Sequence, residues 1–344
     1  MEDRLSRTLT RRSFVAGLTF GAAYRTTVAT NQRGRAEYTF AQYHNQTEAS
    51  SLHRRLVETW TAVRAETNGR VDTTVYALNN NIPGSDPAAL KMLVSGEIQF
   101  FTLMGGLLGG VVPVAEVQQV PFAFRSAAHA HEATDGPLGA YLRQEMAARG
   151  ILGFPLGGFD NGMRQINASR RPVAVPADLM GMRMRVPAGE MIADTFRSFG
   201  AEPVIVNSID IHDALKTGKV DAQENPLALV ELFKLYEVTK YISMTNHMWS
   251  GFNLLAHLPT WRKVPANLQA VIERSVAKYV RLQRQDQETM NGQMRTLLAT
   301  RGLVFNEINS EPFRRQLAPF YATRKGRLGA RCWSLLENAV GPLA

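Results

Sequence analysis

The sequence predicts an α/β protein of two lobes, on three observations. A chain of 344 residues with 45% hydrophobic content exceeds the length at which a single core usually splits. Strand, helix and strand patterns follow one another over residues 38–76, the unit whose helical crossover builds a parallel sheet. A helix that runs through a glycine into a strand also occurs twice, from Ala89 through Gly96 to Gln99, and about 125 residues later from Ala214 through Gly218 to Asp221.

Taken in order, the first 36 residues stand apart from the rest. Thr10-Arg11-Arg12-Ser13-Phe14 presents paired arginines ahead of a modestly apolar run over 14–23, the pattern of a bacterial twin-arginine export signal. No acidic residue follows Asp3 until Glu37, and this segment carries +5 of the formal net charge of +9. A first strand is expected over 38–41 and an amphipathic helix over 48–66, stopped by Thr67-Asn68-Gly69. Residues 71–76 alternate as a second strand, 88–96 form a helix closed by Gly96, and 97–101 form the next strand. Met182, Met184 and Val186 alternate with Arg183 and Arg185 in a short strand that Pro187 closes, so both arginines are expected on one face. Asn225 precedes Pro226, which biases it towards extended backbone. Apolar residues recur at helical spacing from Leu268 to Leu298 before a stop at Gly302. One long helix over 265–299 would lie across both lobes; two helices broken near Asn291-Gly292 are the alternative.

Ligands of open α/β sheets gather beyond the carboxyl ends of the strands. Leu103-Met104 in the first copy of the repeat and Gln223-Glu224-Asn225 in the second are therefore expected at a common cleft. A guanidinium is always charged and offers two parallel N–H donors to a carboxylate. Arg164, Arg185 and Asn225 together read as a carboxylate grip, whereas Arg183 and Arg185 taken alone favour the plainer reading of solvated surface arginines.

Composition excludes several classes. No run of about 18 apolar residues suits a membrane-spanning helix. Cys332 is the only cysteine, so neither an internal disulfide nor a cysteine metal cluster is available. Beyond the leader the positive charge is scattered apart from Arg314-Arg315 and 324–327, which speaks against nucleic acid as a partner. The Gly105–Gly110 run lacks the Gly-Lys-Ser/Thr of a phosphate loop. His129 and His131 diverge on a helix without further ligands, so no metal and no cofactor is expected.

The ordered motifs Asn161-Gly162-Met163-Arg164-Gln165, Asp178-Leu179-Met180-Gly181, Arg183-Met184-Arg185-Val186-Pro187 and Ala214 through Gln223-Glu224-Asn225-Pro226 make the chain resemble a known family. It is similar to the extracytoplasmic solute-binding proteins of tripartite ATP-independent periplasmic (TRAP) transporters, the DctP family, over nearly all of the chain after the leader. Thr67-Asn68-Gly69-Arg70-Val71, Val120-Pro121-Phe122 and Thr245-Asn246-His247 match as well. The resemblance implies a two-lobed periplasmic-binding-protein-like fold with a ligand cleft between the lobes and a long helix spanning both. Its lobes would be 37–161 plus 251–290 and 162–250 plus 291–344.

The resemblance further implies a periplasmic receptor rather than an enzyme. It would bind an organic acid and deliver it to TRAP membrane subunits for uptake driven by an ion gradient. A ligand sensor of the same fold signalling to a membrane partner is the alternative, and a periplasmic enzyme acting on a carboxylate is a more distant one. Arg185 would form the main salt bridge with the substrate carboxylate, Arg164 a second, and Asn225 would donate its amide. His247 and Trp249 would lie near the hinge side of the pocket. On the facing wall Met104 occupies the place of an acidic residue in sialic-acid binders, which argues against a sugar with many hydroxyls. Tyr43, His44 and Gln46, after the first strand, are further candidates.

Overall fold

The structure, a computed structural model, describes residues 36–343. The expected export segment, 1–36, lies outside them but for Ala36. Two mixed sheets with covering helices make up the α/β fold. The first sheet holds β1 (Tyr38–His44), β2 (Val71–Tyr76), β3 (Phe100–Met104), β4 (Ile151–Phe159) and β10 (Phe252–His257) in the order β2-β1-β3-β10-β4. The second holds β5 (Met163–Ala168), β6 (Arg183–Val186), β7 (Glu202–Ile205), β8 (Ala222–Asn225), β9 (Tyr241–Trp249) and β11 (Val304–Glu307) in the order β11-β9-β5-β8-β6-β7.

Local chemistry explains the elements. Helix α1 (Ser51–Glu66) starts where the Ser50 hydroxyl accepts from the His53 amide and buries Leu52, Leu56, Trp60 and Val63 along one stripe, the arrangement that closes β1 and β2 into a parallel pair. Helix α2 (Ser85–Ser95) ends at Gly96 in the left-handed conformation with φ 84°, where a Cβ would cost energy. Residues 97–99 lead from that cap into β3, so the strand begins at Phe100 rather than at Glu97.

Two short crossings, at 160–162 and at 250–251, connect the sheets. The crossings are tied together: the Ser250 backbone amide donates to the Gly162 carbonyl at 3.0 Å, and the Asn161 side-chain Nδ2 donates to Ser250 Oγ at 3.1 Å. The apolar recurrence read as one long helix is one helix, Ala266–Thr300, with no break at Asn291-Gly292. It packs against α1 and β4 of the first lobe and against the short helix Leu227–Leu232 of the second. Midway along it, the Gln283 side chain accepts from the Asp160 amide at 2.8 Å and donates to the Asp160 carbonyl at 2.7 Å. The long helix thereby holds the first crossing through both of its backbone polar groups, which would otherwise be buried without partners.

The tail divides between the lobes. Strand β11 joins the second sheet beside β9, whereas the last helix, Ala330–Val340, packs on Ala127–Asp135 and Pro137–Ala147. Residues 330–340, grouped on sequence with the second lobe, therefore lie on the first. Their apolar face, with Cys332, Trp333 and Leu336 buried, has its complement there.

Candidate functional site

The two crossings, the ends of β3 and β8 and the start of α2 surround one cleft. It encloses about 380 Å³ between side chains, open solvent at its mouth included. Arg164, Arg185, Asn225 and Met104 all line it. His44, His247 and Trp249 do not, and each has another task.

Arg185 sits in β6 with Val204 of β7 on one side and Gln223 of β8 on the other. This interior position leaves its side chain 1% exposed. Its Nε donates to the Val206 carbonyl at 2.8 Å. Among the described residues its two terminal nitrogens have no hydrogen-bond partner and no carboxylate in salt-bridge range. Burial pushes its pKa down to about 9 from 12.5, with Glu224 and Asp86 pulling the other way and Arg164 adding to the fall. Such a group is a charged fork held away from water without a counter-ion.

Arg164 is differently placed. The antiparallel register that sets Gln165 opposite Asn225 brings Arg164 against Glu224, which it grips by two hydrogen bonds, the one from Nη2 at 2.7 Å. It also donates to the Glu224 carbonyl at 2.7 Å, to Asn225 Oδ1 at 3.1 Å and to Ser250 Oγ at 2.9 Å. Its charge is therefore neutralised before any ligand arrives. Burial alone would raise the pKa of Glu224, but Arg164 and His247 outweigh it and hold the carboxyl below its usual range.

His247 stands behind this pair, its Nε2 3.3 Å from Glu224 Oε2 and its Nδ1 2.8 Å from Thr245 Oγ1. Burial lowers its pKa despite Glu224, so a neutral ring that donates from Nε2 and accepts at Nδ1 satisfies both contacts. Trp249 Nε1 donates to Asp160 Oδ1 at 2.9 Å and so braces the crossing. His44 packs on His53, Nε2 to Nδ1 at 2.9 Å, and its Nδ1 accepts from the Gln46 amide. Arg183, expected on the face of Arg185, pairs with Asp221 at 2.7 Å and lies outside the cleft. Tyr43 stacks on Tyr76 at 4.8 Å.

Asn225 is less free than its sequence position suggests. Its Oδ1 accepts from Arg164, and its Nδ2 donates to Gln223 Oε1 at 2.7 Å. An amide nitrogen carries two hydrogens, so one remains.

The first-lobe wall is mixed, apolar at Met104, Leu107 and Phe252 and polar at Asn45, Gln46 and Asp86. Asn45, Gln46, Asp86, Asn161, Ser208 and Ser250 line the cleft alongside the methionine, whose sulfur takes weak contacts from Arg164 and Ser250. Gln46 donates to Asn161 Oδ1 at 2.9 Å, linking the first lobe to the crossings. Asp86 had no signal in the sequence beyond an acidic residue in the first turn of α2. It is presented by residues 78–81, all at φ near 50°, a left-handed run that asparagine tolerates better than most residues do. Burial raises the Asp86 pKa, with Asn45, Asn79 and Arg185 opposing. Among the described residues no three His, Cys, Asp or Glu side chains converge as for a metal ion.

Comparison with known proteins gives a consistent result. The DctP profile, bacterial extracellular solute-binding protein family 7, matches residues 42–325. The 2,3-diketo-L-gulonate-binding periplasmic protein of Escherichia coli is 32% identical over 244 residues, covering 71% of this chain and 70% of that protein. An uncharacterized protein of Sinorhizobium fredii, y4mM, is 34% identical over 76% of this chain, and the chain spans about half of its length, 48%. Among solved structures, a TRAP periplasmic solute-binding protein from a Sulfitobacter species, with bound β-D-galacturonate, superposes with TM-score 0.82 at 24% identity over 88% of this chain and 99% of that one. One from Shewanella oneidensis with bound succinate superposes with TM-score 0.82 at 21% identity over 88% and 99%.

Proposed function

The chain belongs to the DctP family, TRAP periplasmic solute-binding proteins, and from that premise we propose that it is the receptor for an organic acid whose carboxylate docks on Arg185. The acid would be handed to TRAP membrane subunits for uptake driven by an ion gradient. The protein would work in the periplasm, reached by the twin-arginine route. The family is one of binding proteins, not of enzymes.

One observation carries the reading: the Arg185 guanidinium is buried, lines the cleft and lacks a protein counter-ion. A carboxylate supplies that counter-ion and accepts one N–H from each free terminal nitrogen in a bidentate bond. Arg164, already paired with Glu224, serves this reading as a brace. It fixes Asn225 and Ser250 at the rim and adds a neighbouring positive field. The first lobe closes over the bound acid around the crossings at 160–162 and 250–251, excluding water and strengthening the charge-assisted bonds.

Thermal unfolding against a panel of mono- and dicarboxylates tests this. An acid at 100 times its Kd stabilises the fold by about 2.7 kcal/mol. Arg185→Ala should remove the response, and Arg185→Lys should weaken it severely, because a point charge replaces a planar fork. Undiminished acid binding in both variants would overturn the assignment.

A further inference from the structure

We infer that Arg324 is a positioning residue for ligand capture: it ties a carboxylate of the first lobe, Glu116, to a carboxylate of the second, Asp194, and so holds the wall that carries Arg185 against the first lobe. The inference goes beyond the docking proposed above and does not depend on which acid is taken.

Arg324 stands in the tail, on the helix Ala318–Leu328, and is 2% exposed. That helix packs on the helical turn Pro113–Gln119 of the first lobe and on the last helix. The Tyr321 hydroxyl pins it there by donating to the Pro121 carbonyl at 2.9 Å. From this base Arg324 Nη2 donates to Asp194 Oδ2 on the second-lobe helix Glu190–Ser198. Its Nη1, which makes no hydrogen bond among the described residues, lies 3.5 Å from Glu116 Oε2 in an ion pair. The guanidinium also lies 5.1 Å from the centre of the Phe320 ring. Burial raises the Glu116 pKa against the pull of Arg324. A buried cation between carboxylates of two lobes is fully compensated only while the lobes are together.

The rest of the seam follows the same course. Glu190, one turn before Asp194 and on the same face of its helix, pairs with Arg327 at 2.7 Å. At the other end of that helix the Ser198 carbonyl accepts from Gln316 Nε2 at 2.8 Å, which covers one of the acceptors a helix end leaves open. These two contacts are exposed and contribute little. Arg197 also reaches Asp194, but from the same helix, so it joins nothing across the seam. Residues 186–189 alone separate Arg185 from the start of this helix, so a tie on the helix is a tie on the Arg185 wall. Glu116, Glu190 and Arg327 line a chamber of about 1060 Å³, open solvent at its mouth included, that shares Asp86 and Leu107 with the Arg185 cleft. The tie therefore spans the seam beside the cleft itself.

Pulsed electron spin resonance on the full-length protein tests the inference, with spin labels on Val94→Cys and Ile205→Cys to read the distance between the lobes. Both positions are exposed, one on each lobe, and Cys332 is buried. Protein stripped of bound acid is measured alone, with D-galacturonate and with succinate. Asp194→Asn should lower the ratio of closed to open protein about tenfold, the effect of losing one charge-assisted hydrogen bond, and Asp194→Glu should restore most of it. Arg324→Lys, which keeps the charge and loses the fork, should shift the ratio in the same direction as Asp194→Asn. A ratio unchanged in Asp194→Asn and Arg324→Lys overturns the inference, as does a wild type with no closed population under all three conditions. A purely structural ion pair would lower the unfolding midpoint of Asp194→Asn without moving the ratio, and that result also overturns it. A failure of the docking proposal appears differently, as acid-driven closure that persists in Arg185→Ala, and it leaves the Asp194 comparison intact.

Discussion

Replacing Arg185 by methionine should stabilise the unliganded protein while abolishing its response to acids. The fall of the Arg185 pKa from 12.5 to about 9 corresponds, at about 1.4 kcal/mol per pH unit, to about 5 kcal/mol by which the fold disfavours the charge it buries. Methionine fills comparable space without that charge. The change removes the hydrogen bond from Nε to the Val206 carbonyl, and an orphaned buried acceptor costs about 1–3 kcal/mol. At the upper end of that cost a net gain of about 2 kcal/mol remains. About 2–4 °C of Tm accompanies each kcal/mol in chains of 150–250 residues and less in longer ones, so the rise should be about 4 °C. The assay is thermal unfolding of both proteins after unfolding, dialysis and refolding to strip bound acid, repeated with saturating ligand. Liganded wild type should recover or exceed the stability of the methionine variant, whose own midpoint should ignore the ligand. A stripped methionine variant less stable than stripped wild type would refute the idea that Arg185 is held uncompensated in readiness for an anion.

Two further outcomes follow from the same charges. Glu224→Gln leaves Arg164 buried without its partner and should cost about 3–5 kcal/mol in urea unfolding, while enlarging the stabilisation that a bound acid confers; a loss below about 1 kcal/mol would contradict the pairing. His44, which burial pushes down to about 3 from 6.5, takes up its proton in the unfolded chain first as pH falls. The stability it allows is therefore complete above about pH 6.5 and is lost progressively towards pH 3, by up to about 5 kcal/mol. His44→Gln should flatten that limb of the stability profile, and an unchanged slope between pH 6.5 and 4 would show that the acid sensitivity lies elsewhere.

The parts of the site that were legible are those carried by short local motifs. Arg164, Arg185 and Asn225 occur in short motifs at strand ends, and Met104 ends the strand that follows a glycine-capped helix, so period and punctuation were enough to send them to one cleft. His44, by contrast, ends the first strand as a pocket residue should, and yet turns to His53. Whether a residue at a strand end faces the cleft or the layer beneath depends on the partner packed against it, which is not a local property. The same limit applies to Asp86. Four consecutive left-handed residues carry it to the cleft, and Asn79-Asn80-Asn81 shows only a tolerance for that backbone, not the path it takes.

Sequence alone determined the α/β class and the presence of two arginines and an asparagine suited to a carboxylate, because periodicity, glycine stops and guanidinium chemistry are properties of neighbouring residues; that 266–300 is one unbroken helix was decided by the structure. Only the tertiary structure decided which arginine is free. The register between β5 and β8 sets Glu224 against Arg164 and cancels its charge, while Arg185, between β7 and β8, is buried with no such partner. That difference is electrostatic and long-range in sequence, about 60 residues from Arg164 to Glu224. It exists only once the sheet has formed.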